Sequence, residues 1–173
     1  MSLRERLLGR RVPPTPVALR TDFSPEADAA YDEHEAALRA LDDAQTRGVD
    51  LDAARARVER AWAALDPFQV ELLLTPLPPA VYDELIGDHP PTDEQRAQGY
   101  QWNPDTFGPA LLAACVGREL PPEERMSEDD WREFARSGAA GHGEYVVLVN
   151  TALAVNDRTV SVHVGKGSRA TPG

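Results

Sequence analysis

The chain has 173 residues, 42% of them apolar, with 29 acidic and 18 basic side chains and a formal net charge of −11. That length suits one substantial core rather than two comfortable domains, and the acidic balance argues against a duplex nucleic-acid binder, which neutralises phosphates with Lys and Arg. One cysteine, Cys115, leaves no intrachain disulfide or thiolate cluster, and no apolar window reaches membrane-spanning length, so a cytoplasmic setting is expected.

In chain order, Ser2 and Glu5 form a possible capping box for a short helix through Leu8, ended by Gly9 and Pro13-Pro14. With Arg4, Arg6, Arg10 and Arg11, residues 1–14 read as a mobile basic arm. Thr15 to Thr21 places Val17 and Leu19 at strand period and can pair with Phe68 to Thr75. Ser24-Pro25-Glu26 supplies an N-cap, a first-turn proline and an acid, which predicts a helix from Ser24 to Arg47 closed by Gly48. Tyr31, His34, Leu38 and Leu41 share one face of it. Asp50 is the expected cap of a second helix, in which Leu51, Ala54, Val58, Ala61 or Trp62, and Leu65 repeat at heptad-like spacing. Two helices so closely joined should fold back antiparallel, an αα-hairpin over 24–66 inserted between two strands.

The run Phe68, Val70, Leu72 and Leu74 alternates, so one strand face can lie on a core until Pro76 ends it. Pro78-Pro79 opens a helix from Ala80 to Ile86, with Val81, Tyr82, Leu85 and Ile86 in a stripe and Gly87 as the expected left-handed stop. Thr92 caps a short polar helix to Gln98, and Asn103-Pro104-Asp105 starts another. Its Phe107, Leu111, Leu112, Cys115 and Val116 are apolar nearly all round, which marks the most buried helix. Ser127 caps a helix carrying Trp131 and Phe134 to Ser137-Gly138. Gly143 to Asn156 is β-rich in propensity, yet Tyr145, Leu148, Val149, Ala152 and Leu153 fit the helical template, and helix is preferred. Val160, Val162 and Val164 suggest a last strand, so 158–173 reads as a short strand and flexible tail. The expected fold is α+β and mostly α-helical: a helical hairpin, a small antiparallel sheet and a C-terminal helical bundle, with 15–157 as one globular domain.

No residue pattern points to catalysis. His34-Glu35 lacks the second histidine of a helical zinc site, and His89, His142 and His163 have no ligand spacing. Asp42-Asp43, Glu123-Glu124 and Glu128-Asp129-Asp130 sit at helix ends or exposed faces without a convergent partner. Gly165-Lys166-Gly167-Ser168 lacks the first glycine of a phosphate loop, which is Val160 here. Cys115, in an apolar helix, reads as a small core hydrophobe. The expectation is therefore no enzyme, no metal and no cofactor.

At the central stretch the chain resembles a family. A strand ending in Leu77-Pro78, then Tyr82-Asp-Glu-Leu-Ile86, His89-Pro-Pro91, Trp102-Asn103, Thr106-Phe107 and Pro109-Ala-Leu-Leu-Ala113, is similar to the tail assembly chaperones of long-tailed bacteriophages and prophages. Met126 to Trp131, Ser137-Gly138, Gly143-Glu144 and Ala152 to Asn156 continue the order, so the resemblance spans about residues 15–157. It implies a non-enzymatic chaperone in the bacterial host cytoplasm, not retained in the finished virion. Its partner would be the tape-measure protein, a long helical protein kept soluble for tail-tube assembly, with the tail-tube protein as a second partner. No nucleic acid or membrane is implied, and self-association is open. The matching positions Tyr82, Leu85, His89, Pro90, Asn103 and Phe107 either shape a binding surface or hold the fold. The hairpin 24–66 matches no functional feature of the family.

The resemblance also implies a second, longer product made by a −1 ribosomal frameshift. Val164-Gly165-Lys166 holds the only lysine beside seventeen arginines and can be written GTG GGA AAG, which contains the slippery string G GGA AAG. Two rival readings stand beside the chaperone: a small acidic helical regulatory or antitoxin-like binding module, and a hydrolase whose carboxylates are assembled from distant positions.

Overall fold

The computed structural model describes residues 2–9 and 12–157. In chain order the elements are α1 (Leu3–Leu8), β1 (Thr15–Arg20), α2 (Pro25–Arg47), α3 (Leu51–Ala63), β2 (Gln69–Leu74), α4 (Pro79–Asp88), α5 (Asp93–Ala97), α6 (Pro104–Cys115), α7 (Glu128–Arg136) and α8 (His142–Asn156), with short 3₁₀ turns at Asp66–Phe68 and Pro122–Glu124. The fold is α+β and mostly helical, with one two-stranded antiparallel sheet among the described residues. The described residues cluster into two compact units, one formed by Thr15–Leu73 and the other by residues 2–9, 12–14 and 74–157, with the division falling inside β2. The strand and tail read over 158–173, including Val164 to Lys166, lie outside the described residues.

The first unit is the hairpin and its strands. Ser24 caps α2 through Ala27 N–H to Oγ at 3.2 Å, Pro25 occupies the first turn, and Gly48 closes the helix with φ of 68°. Asp50 does not cap α3 with its side chain: it takes φ 43°, ψ 46°. The reversal through Gly48, Val49 and Asp50 is tight enough to need two left-handed residues, a conformation that Asp tolerates better than most. Tyr31, His34 and Leu41 of the expected α2 face are half-buried, but Leu38 is exposed, and the fully buried places on the helix are taken by Ala27 and Ala37. On α3, Ala61 rather than Trp62 takes the buried position, and Trp62 lies outside against the His34 ring, centroids 5.3 Å apart. A two-pronged ion pair from Arg57 to Glu33, at 2.9 and 3.0 Å, joins the helices. It holds the Glu33 carboxyl below its usual range, but as an exposed pair it sets register more than stability.

The strands pair as expected, and Thr21 N–H extends the ladder to the Phe68 carbonyl at 2.9 Å. Arg20 ties β1 to α2: it donates to the Asp22 carbonyl and the Asp28 carboxylate, both at 2.6 Å, and its guanidinium lies over Phe23 and Tyr31. The expected apolar face of β2 is only partly realised. Val70 is exposed and Leu72 half-buried, and only Leu74 is fully buried. A two-stranded sheet covers little of its own surface, so alternation alone does not bury a side chain.

The second unit is built on α6, which α4, α7 and α8 all contact. Phe107, Leu111, Leu112 and Cys115 of α6 are fully buried, together with Leu74, Trp131 and Leu148 from its surroundings. Leu74 pairs with Val116 in an antiparallel bridge, and Thr75 N–H donates to the Cys115 carbonyl at 2.9 Å. Helix ends follow their caps: Thr92 with Gln95 on α5, Asn103 on α6, Ser127 with Asp130 on α7. Gly87 is not a stop. Helix α4 runs through it to Asp88, and His89 leaves the helix at φ −120° because Pro90 disfavours the α region for the residue before it. Leu85, expected in the core, is only half-buried. The ambiguous stretch 143–156 is helix.

Close approach of α6 to α8 depends on Gly108. A Cβ there would meet the Tyr145 hydroxyl at 2.9 Å and Val149 Cγ2 at 3.4 Å. Gly108→Val is therefore expected to lower stability by about 1–3 kcal/mol, the usual cost of overpacking. Gly108→Ala should cost less, and Tyr145→Phe should recover part of that loss by removing the hydroxyl. Denaturant midpoints of the three variants check this; an unchanged midpoint for Gly108→Val would show that the helices are free to part.

Candidate functional site

Four of the residues singled out by the resemblance converge around one side chain. Phe107, at the first turn of α6, is surrounded by the rings of Trp102 at 5.1 Å, His89 at 6.1 Å and Tyr82 at 6.2 Å between centroids. Polar bonds fasten the same group. His89 Nδ1 lies 3.0 Å from Thr106 Oγ1, Asn103 N–H donates to the His89 carbonyl at 2.8 Å, and Asn103 Oδ1 accepts from Asp105 N–H at 3.0 Å and Gln95 Nε2 at 3.3 Å. Tyr82, His89, Asn103 and Phe107 are thus brought together. Leu85 is half-buried on α4, Pro90 is exposed, and neither contributes a ring contact or a hydrogen bond to the cluster.

Burial decides what this cluster does. Phe107 is wholly buried and Tyr82 nearly so, so their rings offer no surface to a partner and instead hold α4 against α6. The Tyr82 hydroxyl is hydrogen-bonded to Asp157, and burial first, then that carboxylate, push its pKa up to about 12. A raised acid pKa means the folded state holds the proton more tightly, so this contribution is complete below the unfolded value near 10 and is lost as pH rises towards 12. Alkaline melting curves should show a fall in stability over that window that Tyr82→Phe reduces, with burial of the Tyr145 hydroxyl, which also raises its pKa, supplying part of what remains; identical curves for the two proteins would contradict the assignment.

An exposed, uncharged surface lies on α8. From Tyr145 to Asn156 the helix carries no charged residue. Leu148, Ala152 and Val155 face inward and are buried, while Tyr145 packs at Gly108. The opposite side presents Val146, 38% exposed, and Val147, 57% exposed, in line with Asn150 and Ala154. A helix apolar on every side is ordinarily enclosed on every side; here half of it is open. Both ends are fixed. The Glu144 carboxylate accepts Gly141 N–H at 2.9 Å, and Asn156 accepts Leu77 N–H at 2.8 Å while donating to Cys115 Sγ at 3.3 Å and the Ala152 carbonyl at 2.8 Å. The outer face is therefore held at both ends and uncharged, with Val146, Val147 and Ala154 around the polar Asn150, on a stretch from Leu74 to Asp157 that holds fifteen acidic and five basic residues. Sequence reasoning did not single it out. The signal was the missing polar stripe over 145–156, the same property that made helix and strand hard to separate there.

Groups with chemical potential are dispersed or occupied. Among the described residues no three His, Cys, Asp or Glu side chains converge, and no helix is long and apolar enough to cross a membrane. Cys115 is fully buried, which pushes its thiol pKa up, so little thiolate forms near neutral pH. Asp130 is engaged by Ser127, which lowers its pKa, and Arg132 by Glu128 and Asp129. His34 packs on Trp62 at the hairpin boundary. No protein-family model, curated protein or solved structure matches the chain. The resemblance to tail assembly chaperones accordingly rests on its own residues.

Proposed function

We propose that the chain is a non-enzymatic tail assembly chaperone of a long-tailed phage or prophage, which binds the tape-measure protein in the host cytoplasm and keeps it soluble while the tail tube assembles. The observation that carries this reading is the uncharged outer face of α8, held at both ends. A long helical client exposes apolar stripes that aggregate in water, and such a stripe can lie along Val146, Val147, Asn150 and Ala154 without leaving a charge unpaired. The acidic surround keeps the complex soluble and favours basic residues beside the client's stripe. The Phe107 cluster supports this by holding the helices on which α8 rests.

Co-expression tests the proposal. The chain should raise the soluble yield of its tape-measure partner without metal or nucleotide, and Val147→Asp should remove the gain while leaving the melting temperature unchanged, since Val147 faces outward. No gain from the wild type, at matched expression, would sink the chaperone reading. A gene neighbourhood with a toxin or regulated operon in place of tail genes would favour the antitoxin-like module, which could use the same face. The longer frameshift product belongs to this proposal too: codons for Val164 to Lys166 that do not spell the slippery heptamer rule that site out.

A further inference from the structure

We propose that, in the absence of a client, the outer face of α8 is covered by α1 of a second copy of this chain, the two copies exchanging arms reciprocally. The idea of a client rests on the chaperone reading; the exchange itself rests on α1 and α8.

Helix α1 has only six residues, and its described side chains are all exposed, Leu3 at 72% and Leu8 at 74%. A helix shorter than about 12–15 residues is marginal in water without packing. Yet α1 is capped in both directions, Ser2 N–H to Glu5 Oε2 at 2.7 Å and Glu5 N–H to Ser2 Oγ at 3.2 Å. Capping sets the helix start, and the exposed leucines then require a surface to cover them. The face of α8 suits them: it is uncharged and presents Val146, Val147 and Ala154, so leucine contact strands no charge, and its unit carries the acidic excess that attracts Arg4 and Arg6. Within one copy both surfaces stay open. Two copies, each offering one arm and one face, close the set with two identical contacts around a two-fold axis. An anionic lipid surface would attract α1 but be repelled by the acidic unit, which favours protein as the occupant.

Sedimentation velocity of the full chain over a rising concentration series reads the association. The wild type should pass from monomer to dimer; Leu3→Ser/Leu8→Ser and, separately, Val147→Glu should remain monomeric with wild-type melting curves, because all three positions are exposed. An equimolar mixture of the two variants should recover a weaker dimer, since one arm and one face survive between them. A wild type that stays monomeric throughout, or a dimer that persists in the arm variant, overturns the exchange. The client experiment separates the two proposals. If the arm variant is monomeric and still solubilises the tape-measure protein, both stand. If the dimer results hold and no client is solubilised by either form, only the chaperone reading falls; if client solubilisation holds and the dimer fails, only the exchange falls.

Discussion

Leu111→Asp is expected to abolish the folded state of the α6-centred unit. Leu111 has no exposed surface and lies midway along the one helix that α4, α7 and α8 all contact. The change removes a buried leucine, a loss of about 2–5 kcal/mol, and places a carboxylate in an apolar interior. To bury it the protein must keep the group protonated or open a path for water, and either adds several kcal/mol. A typical domain has about 5–15 kcal/mol in total, so the sum takes most or all of it. Near-ultraviolet circular dichroism reports the loss directly, because Trp131 and Phe107 pack in the same unit. A soluble variant with an unchanged melting temperature would show that the core is centred elsewhere.

Phe107→Ala should be the next most damaging change, and its mechanism differs. The ring touches no charge; it fills the space between Tyr82, His89 and Trp102, so truncation leaves a cavity and three aromatic edges without a neighbour. The expected cost is about 3–5 kcal/mol, or a fall in melting temperature of roughly 6–20 °C for a chain of this size. Tyr100→Ala is the control. Tyr100 is an exposed aromatic two residues from Trp102, and its removal should stay within about 0.5 kcal/mol. If the two variants melted together, the cluster would not be what holds α4 to α6.

Much of the architecture was legible because the chain marks its helix starts with side chains that bond locally. Ser24-Pro25, Thr92 with Gln95, Asn103-Pro104 and Ser127 with Asp130 each satisfy orphan amides within three residues, and a signal that acts locally can be read locally. Where the outcome depended on a distant partner, the pattern misled. Leu38 falls on the expected stripe of α2, but Ala37 takes the buried place. Val70 alternates correctly on β2, but two strands offer no second layer to cover it. Gly87 resembles a stop, but Pro90 decides where α4 ends. For the site, Tyr82, His89, Asn103 and Phe107 were found together, since motif residues close in sequence also meet in the fold. The α8 face was not, since periodicity detects which side of a helix is apolar and is silent when both are.

The bond from Leu77 N–H to the Asn156 side chain makes one amide a clock for the whole end of α8. Leu77 lies between β2 and α4, in neither ladder nor helix, so its proton is shielded from solvent deuterium only while Asn156 is seated. Its exchange rate then reports the opening free energy of the last turn of α8 separately from global unfolding. Whatever polypeptide follows Asn156, tugging on that turn would register first as faster exchange at position 77, some eighty residues upstream in the chain.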